Sequence, residues 1–218
     1  MRLYQRTKAS THDIMQIVGR IMSVTLLSLL LSACFQKSLP VATENTQLAW
    51  SKRHQQLTAL QNWTVQGKAA FQAPKESGSA SFEWQQQAAQ FSFAAFNPLG
   101  SEVFRIAGSN GSAELQLANQ QRFHAPSSDE LFVRTFGFAF PLSSLQYWVR
   151  GLPNPTLPAQ TQFDDSHRLA TLQQANWLVE FQSYTTINHV DLPRFIVLTS
   201  APYKAKVIIY QWKMAESP

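Results

Sequence analysis

Trp63-Thr64-Val65-Gln66-Gly67-Lys68-Ala69-Ala70-Phe71 alternates at period two. Trp63, Val65, Gly67, Ala69 and Phe71 share one face, and Thr64, Gln66 and Lys68 share the other. That is the pattern of a strand with one side in a core and one in water. Pro74 to Gly78 reads as a turn, after which the alternation resumes. Ser79–Gln85 sets Phe82 and Trp84 on one side, and Gln90–Phe96 does the same with Phe91 and Phe93. Glu102–Ala107 and Ala113–Ala118 follow, joined by Gly108-Ser109-Asn110-Gly111. Short alternating runs separated by turn residues indicate an antiparallel meander.

The flanks change period. Upstream, Trp50, Leu57 and Leu60 recur at helical spacing, which predicts a helix over 46–60. Downstream, Ser127 with Glu130 three residues on makes a capping box ahead of Leu131, Phe132 and Phe136, and Gly137 can end that helix. A second short helix is predicted from Pro141 to Gly151, with Leu142, Leu145, Trp148 and Val149 as its apolar face. The proline-rich stretch Leu152–Pro158 breaks it. Strands then return at Leu169–Gln173, Trp177–Tyr184, Phe195–Ser200 and Lys206–Trp212, the last reading as Ile208, Tyr210 and Trp212 on one face. Helix, strands, two helices, strands: this order predicts a mainly β fold with α (α+β). Its form is an unclosed antiparallel β-barrel, a strongly curved sheet with helices on its concave side.

The amino-terminal segment is not part of that fold. Arg2, Arg6, Lys8 and Arg20 stand against one acid, Asp13, and an apolar run follows from Ile21 to Leu31. A run that short cannot span a bilayer core, which takes roughly 20 residues. Basic segment, short apolar segment and small residues before a cleavage point make a secretory signal over residues 1–33. Met15 is an alternative start that keeps Arg20. Leu31-Ser32-Ala33-Cys34 has the lipobox pattern, whose chemistry needs a thiol to take a diacylglyceryl group. Cys34 is the single cysteine, so no internal disulfide forms, and lipidation accounts for it. Residues 34–45 then read as a lipidated tether, and 46–218 as one domain.

Charge and composition narrow the function classes. The leader carries +3 of the net +5, so the basic balance mostly belongs to a discarded segment. The remaining bases form no stripe, which excludes a nucleic-acid footprint. Charged residues are 14% and aromatics 12%, with 15 Phe and 6 Trp. That is more large apolar surface than a compact core requires, and a lined cavity would house it. No P-loop and no Gly-x-Ser-x-Gly elbow is present. His54, His124, His167 and His189 lack metal-ligand spacing, and Asp164-Asp165 reads as a solvated loop. No metal, cofactor or enzymatic activity is expected, the covalent N-acyl diacylglycerol on Cys34 aside.

One turn has the wrong polarity. Asn97-Pro98-Leu99-Gly100 fits a type I turn between two strands, with Leu99 at its tip. Pro98, Leu99 and Gly100 therefore form a candidate membrane-insertion loop. One inserted leucine is worth about 1.5–3 kcal/mol, enough to bias contact and too little to anchor.

Taken together, the lipobox, the Trp50 helix, Asn97-Pro98-Leu99-Gly100, Trp148-Val149-Arg150-Gly151-Leu152-Pro153, Trp177 and Trp212 resemble the LolB family in order and spacing. The resemblance spans nearly all of the chain after Cys34. It implies an unclosed barrel with helices as a lid over a hydrophobic cavity. It also implies acceptance of client lipoproteins from the periplasmic carrier LolA and their insertion into the inner leaflet of the outer membrane, with Leu99 as the inserting residue. Phe35, where an Asp would favour retention at the inner membrane in lipoproteins of this class, points to outer-membrane anchoring on the periplasmic side. The partners expected are LolA, client acyl chains and outer-membrane phospholipid, with the protein itself a monomer. The candidate acyl-chain cavity comprises Trp84, Phe91, Phe93, Phe104, Ile106, Leu117, Trp148, Trp177, Val179 and Phe181. Two other classes remain open on sequence: a lipid-modified hydrolase, and a structural lipoprotein with a filled core.

Overall fold

The computed structural model describes residues 44–75, 77–109 and 111–214. The signal peptide, Cys34 and all but the last two residues of the tether assigned to 34–45 lie outside the described residues. Helix α1 spans Glu44–Thr58, and six strands follow: β1 (Asn62–Gln72), β2 (Ser77–Gln87), β3 (Gln90–Phe96), β4 (Glu102–Ser109), β5 (Ser112–Leu117) and β6 (Arg122–Ala125). Then come α2 (Ser128–Phe136) and α3 (Leu142–Trp148). Five more strands follow among the described residues: β7 (Gln160–Phe163), β8 (Leu169–Gln174), β9 (Trp177–Ile187), β10 (Val190–Ser200) and β11 (Tyr203–Met214).

All eleven strands form one antiparallel sheet in the order β6-β5-β4-β3-β2-β1-β11-β10-β9-β8-β7. It is not closed: β6 and β7 are its two edges. Consecutive in sequence, these edges are joined by the segment carrying α2 and α3. The connection runs over the concave face, where α2 packs on β4, β5 and β6 and buries Leu131 and Phe132 with the inward-facing strand residues. Among the described residues no helix is long and apolar enough to cross a membrane.

Local chemistry fixes the helix ends. The Ser127 side chain accepts from the Glu130 N–H at 3.2 Å, and Gly137 takes a left-handed φ of 74° at the other end of α2. The reciprocal half of the capping box does not form, because the Glu130 carboxylate pairs with Arg134 one turn on. Asp129 instead reaches across to α3, its carboxylate accepting from Ser143 N at 2.8 Å and Ser143 Oγ at 2.5 Å. That bond satisfies an orphan donor at the start of α3 and ties the two helices together.

The reading of β11 needs correction. Val207, Ile209 and Trp212 point inward, while Ile208 and Tyr210 face out, Tyr210 at 65% exposure. Gln66 pairs with Gln211 but Gly67 pairs with Ile209, so Tyr210 is the extra residue of a bulge and the strand changes parity there. Gly67 makes the crossing possible: a Cβ on it would lie 2.2 Å from the Ile208 carbonyl oxygen and 2.8 Å from the Phe82 ring. The sequence reading also missed β6 and β7, four-residue edge strands too short to show a period, and began β10 at Phe195. A register shift beside Pro193 hides its first half.

α1 is held at its C-terminal end by Arg150. This guanidinium is 8% exposed and donates to the Leu60 carbonyl at 2.9 Å, the Leu57 carbonyl at 3.4 Å and the Gln146 carbonyl at 3.1 Å. Burial holds its pKa below the ordinary arginine value. Further along α1, Arg53 donates to the Asp191 carbonyl and lies over the Tyr184 ring, as does Arg168. Trp50 packs on Phe163 with centroids 5.0 Å apart.

Candidate functional site

A cavity of about 440 Å³ opens between the concave face and the helical crossing. Its floor follows from register. Inward-facing Ala69 lies opposite Ala80 on one side and Val207 on the other, Ala95 lies between Phe82 and Phe104, and Ala205 faces Phe71. Four alanines thus occupy positions where a leucine or phenylalanine would fill the space. Protein interiors are close-packed, and these truncated side chains leave this one hollow.

The roof is aromatic. α2 contributes Phe132 and Phe136, the link to α3 contributes Phe138 and Phe140, α3 adds Leu145 and its C-cap Val149, and the start of β9 adds Trp177. The rings form a chain around the opening. Phe93 meets Phe82 at 5.7 Å and Phe104 at 6.0 Å; Phe104 meets Phe136 at 5.2 Å; Phe132 meets Phe140 at 5.4 Å; Phe140 meets Trp177 edge-on at 5.7 Å. Phe138 stacks on Tyr203 at 5.5 Å, joining the lid to the β10–β11 turn. Lys204 is the single charged residue in the described wall, and it stands at the rim. Such a wall makes no directional demands. It can accept a flexible apolar chain and offers few partners to a charged or polar ligand.

The cavity holds four of the ten side chains proposed from sequence: Trp84, Phe93, Phe104 and Trp177. The other six do not line it. Ile106 and Leu117 are on the concave face, but α2 packs over β4 and β5 and covers them. Phe91 lies behind Trp84, beside a smaller, mixed-polarity pocket of about 130 Å³ near Ser127 and Ser143. Val179 and Phe181 belong to the filled part of the half-barrel, buried with Leu172, Ile196 and Leu198. Trp148 is a strut: fully buried, it donates to the Gln174 side chain at 2.9 Å, and Gln174 in turn binds Asn154. The Trp148–Pro153 motif is therefore structural, with Trp148 fixing α3 to β8, Arg150 capping α1, and Gly151 (φ 77°) turning the chain against Pro193.

Sequence reasoning missed the alanine floor, Phe138, Phe140 and Tyr203. The Gly137-Phe138-Ala139-Phe140-Pro141 run carried a signal, two large apolar residues in a segment that ends one helix and begins another.

The protruding loop is built as the turn chemistry required. Gly100 N donates to the Asn97 carbonyl at 2.9 Å, and the Asn97 side chain accepts from Leu99 N and Ser101 N at 2.9 and 3.0 Å. Gly100 has φ 83°. This network holds Leu99 out, 92% exposed. Asn97 and Pro98 belong to the cavity wall, so the leucine stands at the mouth.

An unclosed antiparallel sheet lidded by two helices over an apolar cavity defines a class of half-barrel proteins. Solved structures with this architecture include a LolA superfamily protein from Nitrosomonas europaea (TM-score 0.51, 9% identity, 79% of this chain and 94% of that one). A DUF1329 family protein from Desulfovibrio piger shares it too (TM-score 0.52, 8% identity, 81% and 95%). Sequence identifies the branch. The family model described as outer membrane lipoprotein LolB matches residues 61–212. Outer-membrane lipoprotein LolB of Pseudomonas fluorescens is 36% identical over 75% of this chain and 80% of its own length. Its counterpart in Coxiella burnetii is 31% identical over 88% and 91%. The chain belongs to the LolB family: it is an outer-membrane lipoprotein with a part in lipoprotein localisation, and not an enzyme.

Proposed function

We propose that this protein takes lipoproteins from the soluble carrier LolA, shelters their acyl chains in the alanine-floored cavity, and inserts them into the inner leaflet of the outer membrane. In this reading Cys34 carries N-acyl diacylglycerol, the residues between it and α1 are the tether, and the domain from Glu44 works as a monomer on the periplasmic side. The observation that carries it is an apolar cavity whose mouth bears a fully projecting leucine.

The energetics support a passive direction of transfer. A fatty chain of about 15 methylenes loses roughly 12 kcal/mol on exposure to water, at about 0.8 kcal/mol per methylene, so it must move from shelter to shelter. With no nucleotide motif in the sequence, direction comes from affinity, each 1.4 kcal/mol in favour of the acceptor giving about tenfold. The bilayer is the last and most favourable acceptor. Leu99 enters it beside the cavity mouth and lowers the barrier to release.

The test separates receipt from delivery. Leu99→Glu is expected to accept lipoprotein from loaded carrier as the wild type does, while insertion into liposomes slows at least tenfold, the equivalent of about 1.5–3 kcal/mol of lost leucine burial. Insertion at the wild-type rate would remove Leu99 from the mechanism.

A further inference from the structure

Three turns ring the cavity mouth: the β1–β2 turn at Pro74-Lys75, the β3–β4 turn carrying Leu99, and the β10–β11 turn at Ala201-Pro202. Lys75 lies in the first, and Lys204 follows the third. Lys204 pairs with Gln72 and Lys206 with Ala70, so both lysines alternate with the buried Ala205 and Val207, about 7 Å apart along β11, and Lys204 at the start of the strand also reaches the cavity rim. All three lysines are exposed, and none forms an ion pair among the described residues. Pro74, Pro98, Ala201 and Pro202 are exposed as well, and Phe71 is 39% exposed at the same rim.

We infer that Lys75, Lys204 and Lys206 form a headgroup-binding collar that seats the open end of the half-barrel on anionic phospholipid. This rests on the insertion reading of Leu99 and names the lipid class that the rim selects. Long lysine stems reach outward while the ammonium groups stay in the headgroup layer. A projecting leucine on an end of the sheet that also carries exposed proline turns and unpaired lysines matches a bilayer surface, apolar below and anionic above. An acidic protein would explain the lysines but leave Leu99 in water. The collar also orients release: once it is seated, the mouth faces the leaflet and chains leave beside Leu99.

The measurement is flotation of the mature chain carrying Cys34→Ala, so that no acyl anchor masks a weaker contact. The vesicles are either neutral phosphatidylcholine or phosphatidylcholine with roughly a third phosphatidylglycerol. At about 1 kcal/mol per lysine near an anionic surface, replacing all three with Glu weakens association with the anionic vesicles on the order of 100-fold. It leaves association with neutral vesicles unchanged. Replacing all three with Arg preserves binding, and added salt weakens the wild type toward the Glu variant. Wild-type binding of the Glu variant to anionic vesicles overturns the collar; so does a defect confined to uptake from the carrier, which would make the lysines a protein contact. Normal uptake with unaltered vesicle binding sinks the collar alone, whereas failure of the wild type to take up lipoprotein sinks the transfer reading itself.

Discussion

Ala80→Phe puts the hollow interior to a test that a filled-core protein would answer differently. Ala80 sits on β2 with its side chain toward the cavity and Ala69 opposite. A ring built there enters an existing space of about 440 Å³. Burying it should stabilise the fold by about 1.5–3 kcal/mol, and phenylalanine suits a strand. For a domain of this size that raises Tm by roughly 2–4 °C per kcal/mol. The same ring displaces room for about five methylenes, or about 4 kcal/mol of acyl burial, which is near a thousandfold in lipoprotein affinity. Calorimetry of the variant, alongside transfer from loaded carrier, reads both effects. A higher Tm with wild-type uptake would show that this space is not where ligand goes. A Tm several degrees lower would show that the space is not free.

Removing the Arg150 side chain as Arg150→Ala orphans the Leu57 and Leu60 carbonyls at roughly 1–3 kcal/mol each, so we expect about 3 kcal/mol of destabilisation in denaturant melts, poorly rescued by Lys because a point charge cannot span both acceptors. Gly67→Ala drives a methyl group into the Ile208 carbonyl and the Phe82 ring; chemical denaturation should register a loss of about 1–3 kcal/mol. Cys34→Ala should give a protein that fractionates as soluble after a high-salt wash and keeps the wild-type circular dichroism spectrum, since the acyl chains supply the lasting anchor and the rim of the folded domain only a salt-sensitive contact. Persistent outer-membrane association after high-salt washing would contradict that assignment.

The curved sheet was legible because the outer faces of β1 and β2 are largely polar, with Thr64, Gln66 and Lys68 on one and Ser81, Glu83 and Gln85 on the other. Trp63, Val65, Phe82, Trp84 and Phe93 announce their side at period two, and in the structure all of them point inward. The cavity was less legible, for two physical reasons. An alanine in a strand reads as neutral, and only the register that sets Ala69 against Ala80 and Ala95 between Phe82 and Phe104 turns neutral residues into missing volume. Facing inward is also not the same as facing ligand. Ile106, Leu117, Val179 and Phe181 obey the alternation, yet helices and neighbouring strands have already filled the space before them. β11 shows a further limit, because the bulge opposite Gly67 reverses the parity of one strand partway along, and no period within Lys206–Trp212 announces it. The Trp148–Pro153 motif identified the family correctly while its residues serve the scaffold: a recognisable pattern marks what the fold needs as readily as what the function needs.

Fatty chains are expected to occupy the space beneath α2. A photo-crosslinking residue placed at Phe136, which lines the cavity, and separately at Val133, which is 47% exposed on the same helix, tests this when loaded carrier is added. Adducts to the client's acyl chains are expected from position 136 and none from position 133. Equal labelling from both, or labelling from 133 alone, would place the chains outside the half-barrel and contradict it.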